Sequence, residues 1–142
     1  MVFLQRTSVE QLNATTADTL VDHLGIVYTE LGEDFIRGTM PVDARTRQPF
    51  GLLHGGASVA LAETLGSTAA NLCLDPDVSM AVGLEISAKH VRAMTEGVVI
   101  GTARALQLGR NTQVWDIRIE NEAGQLVCIS RLTMAVLAPR PG

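Results

Sequence analysis

Between Gln48 and Ser67 the chain sets an amide, an imidazole, a bare backbone, a carboxylate and a hydroxyl within twenty positions, as Gln48, His54, Gly55, Glu63 and Ser67. From Ala57 to Leu74 the only ionisable side chains are Glu63 and the thiol of Cys73. A charged group in an apolar setting is costly unless it has partners or a shifted pKa, which makes Glu63 a candidate for chemistry. The chemistry such a set suits is attack on a carbonyl. Backbone N–H groups at a helix start polarise the carbonyl oxygen, because they are unpaired donors at the positive end of the helix dipole. A carboxylate then acts as nucleophile or draws a proton from water.

The spacing constrains how these groups meet. Glu63 lies eight residues beyond Gly55, about 12 Å along a helix. That is too far for both to act on one carbonyl within a single chain. Two copies related by a two-fold axis bring an early turn of one helix to a later turn of the other. Ser67, four residues after Glu63, shares its face and could orient the carboxylate or a water. Each group also has a plainer use. Glu63 could be a structural carboxylate, Ser67 could bond back to a carbonyl one turn earlier, and Ser58 or a water could cap the helix. His54 could be structural and Gln48 a solvated loop amide.

Composition removes several classes of partner. The 142 residues fit one domain, residues 1–142, and 46% apolar with 18% charged residues argues against disorder. A net charge of -4 provides no basic field for phosphate backbones. The only aromatics are Phe3, Tyr28, Phe35, Phe50 and Trp115, too few for base-stacking platforms. Cys73 and Cys128 sit in apolar runs and read as buried thiols rather than a disulfide or redox pair. No signal peptide or membrane span is legible, so a cytoplasmic protein is expected. The three histidines are scattered, so no metal site is expected, and no GxSxG, P-loop or GxGxxG occurs.

The elements that must position the site follow from periodicity. Ser8-Val-Glu-Gln11 reads as a capping box on a short helix, and a second helical turn after Thr16 ends before Gly25. Gly25–Leu31 and Phe35–Pro41 read as strands around the turn Gly32–Asp34. Asp43–Phe50 is a loop. A helix over Gly55–Leu74 is apolar nearly all round, so other elements are expected to wrap it, and Asp75-Pro-Asp77 stops it. Four strands follow. Val82, Leu84, Ile86 and Ala88 alternate cleanly with Gly83, Glu85, Ser87 and Lys89. Val98–Leu108 comes next, then an alternating strand through Gln113, Trp115, Ile117 and Ile119, then Gln125–Leu137. Turns at Leu108–Asn111 and Asn121–Gly124 join the last three, and residues 138–142 form a tail. The tally β-β-α-β-β-β-β predicts an α+β fold, a curved antiparallel sheet around one long helix. One helix leaves a sheet face and an edge open, for which oligomerisation is the usual answer.

The run Pro-Phe-Gly-Leu-Leu-His-Gly-Gly-Ala-Ser with an in-helix Glu, together with this order of elements, resembles the hotdog-fold acyl-CoA thioesterases. The likeness is greatest to the small aryl-CoA branch, which includes the enzymes that hydrolyse dihydroxynaphthoyl-CoA. Met40–Asp43, Val82–Ile86, His90–Arg92 and Gln113–Trp115 are similar as well, so the resemblance covers nearly the whole chain. It implies acyl-CoA hydrolysis to free acid and CoA in a homodimer with a continuous sheet, usually doubled to a tetramer, with active sites at the dimer interface. It implies catalytic roles for Gln48, His54, Gly55, Glu63 and Ser67, with the Gly55 N–H as oxyanion donor. It implies substrate contacts at Gly56 and along Val82 to Arg92 of the partner subunit, including Gly83, Ser87, Lys89 and His90. Ser87-Ala-Lys89 departs from the Asn and second polar residue that related enzymes often carry there, a place that bears on acyl specificity. His90, Arg92, Arg110 and Asn111 are candidates for the CoA phosphates, and equally for solvated surface groups. CoA enters as part of the substrate, and no other cofactor is implied. Two rival readings remain open, a hydroxyacyl-thioester dehydratase and a non-catalytic acyl-CoA-binding hotdog protein.

Overall fold

A computed structural model describes residues 2–139, so the last three residues of the expected tail lie outside it. Two short helices, α1 (Val9–Asn13) and α2 (Leu20–His23), precede a hairpin of β1 (Val27–Leu31) and β2 (Phe35–Pro41). The long helix α3 (Gly55–Leu72) follows. The chain then runs through β3 (Met80–His90), β4 (Val98–Leu108), β5 (Thr112–Asn121) and β6 (Leu126–Leu137). All six strands form one antiparallel sheet in the order β1-β2-β4-β5-β6-β3. The connection through α3 therefore carries the chain from β2 across the whole sheet to its far edge. The antiparallel sheet with one long helix expected from the element tally, and implied by the hotdog resemblance, is the architecture observed.

The helix lies on the inner face of the curved sheet because one of its faces is small and apolar. Leu61, Ala62, Leu65, Gly66, Ala69 and Ala70 are all buried. They recur at i, i+4 and i+8 and so share a face. They meet Ile36, Met40, Trp115, Ile117, Leu132 and Met134, which are fully buried on the strands. Burial of each such side chain stabilises by about 1.5–3 kcal/mol. Close approach is set by one pair of glycines. Gly38 of β2 and Gly101 of β4 sit opposite each other in register. A Cβ on either would come 2.9 and 2.7 Å from the Leu65 side chain. Leu65 fills the notch that the two missing side chains leave.

Several boundaries differ from the sequence reading. Gly25 is not strand; at φ 73° it ends α2 in the left-handed region. The capping box is half made. Ser8 Oγ accepts from the Gln11 N–H at 3.1 Å, but the Gln11 amide oxygen accepts from the Thr7 hydroxyl instead of reaching back. Helix α3 stops at Leu72 with Cys73 as its cap, two residues earlier than expected. The clean alternation expected over Val82–Lys89 is broken by a bulge between Gly83 and Glu85. The bulge shifts the phase, so Ala81 before it and Ile86 and Ala88 after it face the core, while Leu84 is 62% exposed.

The largest correction concerns α3 itself, which the strands cover on one side only. A second stripe, Gly56, Val59, Ala60, Glu63, Thr64 and Ser67, stays open. A helix apolar nearly all round is expected to be wrapped by other elements, and in this chain the sheet covers one side of it. The face that carries Glu63, Thr64 and Ser67 is left partly open.

Candidate active site

The loop before α3 is pinned by its backbone. Gln48 N–H donates to Leu52 O at 2.7 Å, Leu53 N–H to Met94 O at 2.8 Å, and His54 N–H to Thr46 O at 2.8 Å. Thr46 is buried, and its hydroxyl donates to Pro41 O at 2.7 Å. The loop is thereby tied to the end of β2. Gln48 spends its side-chain oxygen on the loop, accepting from the N–H groups of Phe50 and Leu52. In that orientation its NH2 makes no hydrogen bond among the described residues.

His54 proves to be the helix cap. Its Nδ1 accepts from the Gly56 N–H at 2.8 Å. That bond places the ring hydrogen of the neutral imidazole on Nε2, an exposed donor. It also assigns the two glycines different states. The Gly56 N–H is occupied, whereas the Gly55 N–H has no partner among the described residues. The free N–H at the positive end of α3 therefore belongs to Gly55. The His90 imidazole lies against Gly55, and a Cβ there would come 2.9 Å from His90 Nε2. Gln48, Leu53, Gly55, Ser58, His90 and Arg92 line one cavity of about 380 Å³. Ser58 is a lining group that the sequence reading treated only as a possible cap. Phe50 stands 90% exposed on the loop between Gln48 and α3.

Glu63 lies elsewhere. It is half exposed in a groove of about 470 Å³ with Leu20, Gly56, Val59, Thr64 and Ser67. Among the described residues its carboxylate accepts no hydrogen bond and makes no ion pair. Oε2 rests against the backbone of Gly83, where a Cβ would sit 2.7 Å away. One chain thus holds two incomplete sets: the donors Gln48, His54 and Gly55 at the first turn, and Glu63 with Ser67 two to three turns on.

The remaining candidates divide in the same way. Gly83, next to Val82 on β3, runs beside Glu63, and His90 and Arg92 lie beside Gly55. Ser87 and Lys89 alternate with the inward Ile86 and Ala88, so they occupy the face of β3 turned away from α3. Arg110 and Asn111 sit on the exposed β4–β5 turn, in register with the Val82 end of β3 through Thr112 and Ala135. Within one chain they are about 30 Å from Arg92, so the four phosphate candidates do not form one cluster. No group of three or more potential metal ligands occurs among the described residues. Cys73 and Cys128 are both unpaired thiols, and burial raises both.

Comparisons with known proteins give a family and several relatives of the same fold. Residues 50–128 match the thioesterase superfamily. The proofreading thioesterase EntH of Cronobacter sakazakii is 55% identical over 96% of this chain and 99% of its own length. A variant of thioesterase PA1618 from Pseudomonas aeruginosa, with one glutamine changed to alanine, superposes with a TM-score of 0.95. It is 48% identical over 97% of this chain and 99% of that one. Protein SAV0944 of Staphylococcus aureus has been solved with a glutamate changed to alanine, at TM-score 0.81 and 35% identity over 84% and 98% of the two chains. It has also been solved with a glutamine changed to alanine, at TM-score 0.80 and 35% identity over 83% and 98%.

Proposed function

The chain belongs to the thioesterase superfamily and is a thioester hydrolase, and from that premise we propose that it cleaves acyl-CoA thioesters, aromatic ones above all, to free acid and CoA. The observation that carries the proposal is the state of two groups on α3. The Gly55 N–H is unspent at the helix start, and the Glu63 carboxylate is unpaired on the helix's open stripe. A dimer that covers that stripe would bring Gly55 of one subunit to Glu63 of the other. The substituted glutamine and glutamate of the Staphylococcus aureus relative are fifteen positions apart, the separation of Gln48 and Glu63 here. That spacing supports reading Gln48 and Glu63 as one functional pair.

The reaction then runs as follows. The thioester carbonyl oxygen accepts from Gly55 N–H, assisted by the Gln48 amide or His54 Nε2–H. Glu63 takes a proton from water as the water oxygen bonds to the carbonyl carbon, and Ser67 orients that water. The tetrahedral intermediate collapses, the C–S bond breaks, and the thiolate leaves and is protonated. In the other route Glu63 itself attacks and water cleaves the resulting anhydride. Both consume one water and release one acid and one thiol. Each oxyanion donor is worth roughly 3–4 kcal/mol of transition-state stabilisation. Neither route needs a metal or nucleotide. The working form is a dimer of dimers in the cytoplasm, and residues 1–142 act as one domain.

The test is thiol release from a panel of benzoyl-, naphthoyl- and alkyl-CoA esters by EDTA-treated protein. Turnover of the aryl esters, with free CoA as product, is expected. No thiol from any ester rejects the proposal, and an enoyl thioester product would favour a dehydratase. The likeness to a proofreading thioesterase favours a second reading, in which the natural substrate is a thioester formed in error. A broadly flat kcat/KM across the panel would favour it, and a steep preference for one aryl ester would count against it.

A further inference from the structure

The two outermost strands of the sheet, β1 and β3, are each held by one asparagine side chain. Asn13 Nδ2 donates to Tyr28 O at 2.9 Å, and Tyr28 N–H donates to Asn13 Oδ1 at 2.9 Å. At the other edge Asn71 Nδ2 donates to Ala81 O at 3.0 Å, and Ala81 N–H donates to Asn71 Oδ1 at 2.9 Å. In both, a side-chain amide stands where a neighbouring strand's peptide would stand. Asn71 adds a third bond, from Nδ2 to Ser67 O at 3.0 Å. It therefore ties the open edge of β3 to the turn of α3 that carries Ser67.

Position makes the two clamps unequal. Ala81 is two residues from Gly83, and Gly83 is the wall against which Glu63 Oε2 rests. The carboxylate has no hydrogen bond of its own among the described residues, so contact with that wall is what fixes it. Gly83 is followed at once by the bulge, where the β3–β6 ladder slips. The ladder therefore constrains Gly83 weakly on its far side, and Asn71 constrains it on the near side. We infer that Asn71 is a positioning residue for Glu63: by clipping Ala81 to α3 it holds the Gly83 backbone at the distance that keeps the carboxylate aimed along the open groove. The inference rests on the reading of Glu63 as base or nucleophile given above. Asn13, with the same pair of bonds at the opposite edge, is the internal control.

The experiment compares Asn71→Ala with Asn13→Ala in the full chain. It measures kcat and KM for a benzoyl-CoA ester and the 13C resonance of the Glu63 carboxyl. Asn71→Ala is expected to lower kcat on the order of tenfold to a hundredfold with KM little changed, because misplacement of a reacting group costs rate rather than affinity. It should also move the Glu63 resonance. Asn13→Ala should leave both where they are, even if it lowers Tm. A Gly83→Ala variant, whose new Cβ meets Oε2, should not add its loss to that of Asn71→Ala, since both disturb one contact. Equal loss of kcat in Asn71→Ala and Asn13→Ala, or multiplying losses with Gly83→Ala, overturns the inference. If Glu63→Gln keeps full turnover, the base reading falls separately. The resonance still decides then: moved only in Asn71→Ala upholds the positioning, and unmoved in both overturns it.

Discussion

The first and third turns of α3 belong to one helix rich in small residues, yet in the proposed reaction they carry opposite halves. The first turn is a cluster of donors. Among the described residues the Gly55 N–H and the Gln48 NH2 have no partner, and His54 caps the helix with Nδ1 and keeps Nε2–H as a donor. The third turn carries an acceptor alone, the Glu63 carboxylate against Gly83. Eight residues separate Gly55 from Glu63, about 12 Å along the axis and about 80° around it. The difference teaches that neither turn alone holds both kinds of group that the proposed reaction needs. In the proposed reaction the first would hold the carbonyl and the third would activate the water, so each needs the other.

The hardest test of this division is Glu63→Gln. The amide keeps the shape and removes the charge, so turnover should fall by about 10²–10⁴-fold. Affinity for a non-hydrolysable acyl-CoA analogue, measured by calorimetry, should hold, because the donor half is untouched. Near-normal turnover with a shifted Tm would make Glu63 a structural carboxylate and leave the third turn without a role.

Mixing subunits tests the division directly. Gln48→Ala damages only the donor half, and Glu63→Gln only the acceptor half. If one site takes its halves from two subunits, a mixed dimer has one intact site and one doubly damaged site. Co-refolding two inactive variants in equal amounts should then restore about a quarter of wild-type activity, from random assortment of subunits. No recovery, with mixed dimers demonstrated by mass spectrometry, would place both halves in one chain.

Within the first turn, His54 has two duties that substitution can separate. His54→Asn keeps a side-chain acceptor for the Gly56 N–H, and His54→Ala does not. The alanine variant should lose about 1 kcal/mol of stability by thermal unfolding, while the asparagine variant stays close to the parent. Both should lose turnover by about a hundredfold or more, since neither retains the Nε2–H donor. If His54→Asn restores both stability and rate, the histidine is only a cap.

Much of this was legible in the sequence because periodicity and turn chemistry are local. The hairpin at Gly32–Asp34, the antiparallel pairing of the last three strands implied by short turns, and the start of α3 at Gly55 all follow from neighbours in the chain. What was not legible depends on contacts distant in sequence. The bulge after Gly83 is one: Val82 to Lys89 alternates without a break, and only pairing with β6 shows the slipped phase. The open stripe of α3 is another, since an apolar surface reads alike whether its own sheet or a second copy covers it. The state of the two glycines was hidden too. Nothing in His-Gly-Gly says that the imidazole takes the second N–H and leaves the first.

The last turn of α3 supplies the contrast with the smallest expected effect. Cys73 caps the helix there and, with Glu63, is one of the two ionisable side chains from Ala57 to Leu74. By residue type it could be a nucleophile. Its environment opposes this, because desolvation by burial pushes the thiol from 9.0 up to about 11. At pH 8 only about one such thiol in a thousand is ionised, and the thiolate is the reactive form. Cys73→Ser should therefore leave kcat/KM unchanged, and alkylation by iodoacetamide at pH 8 should be slow. The same shift links to stability. The folded state holds the proton more tightly than the unfolded chain, so its contribution is complete below about pH 9 and is lost as pH rises towards about 11. Burial shifts Cys128 in the same direction, so Cys73→Ser should flatten only part of the alkaline fall in Tm. Turnover that disappears in step with alkylation of Cys73 would extend the chemistry to the end of the helix. The contrast between donor turn and acceptor turn would then no longer describe the site.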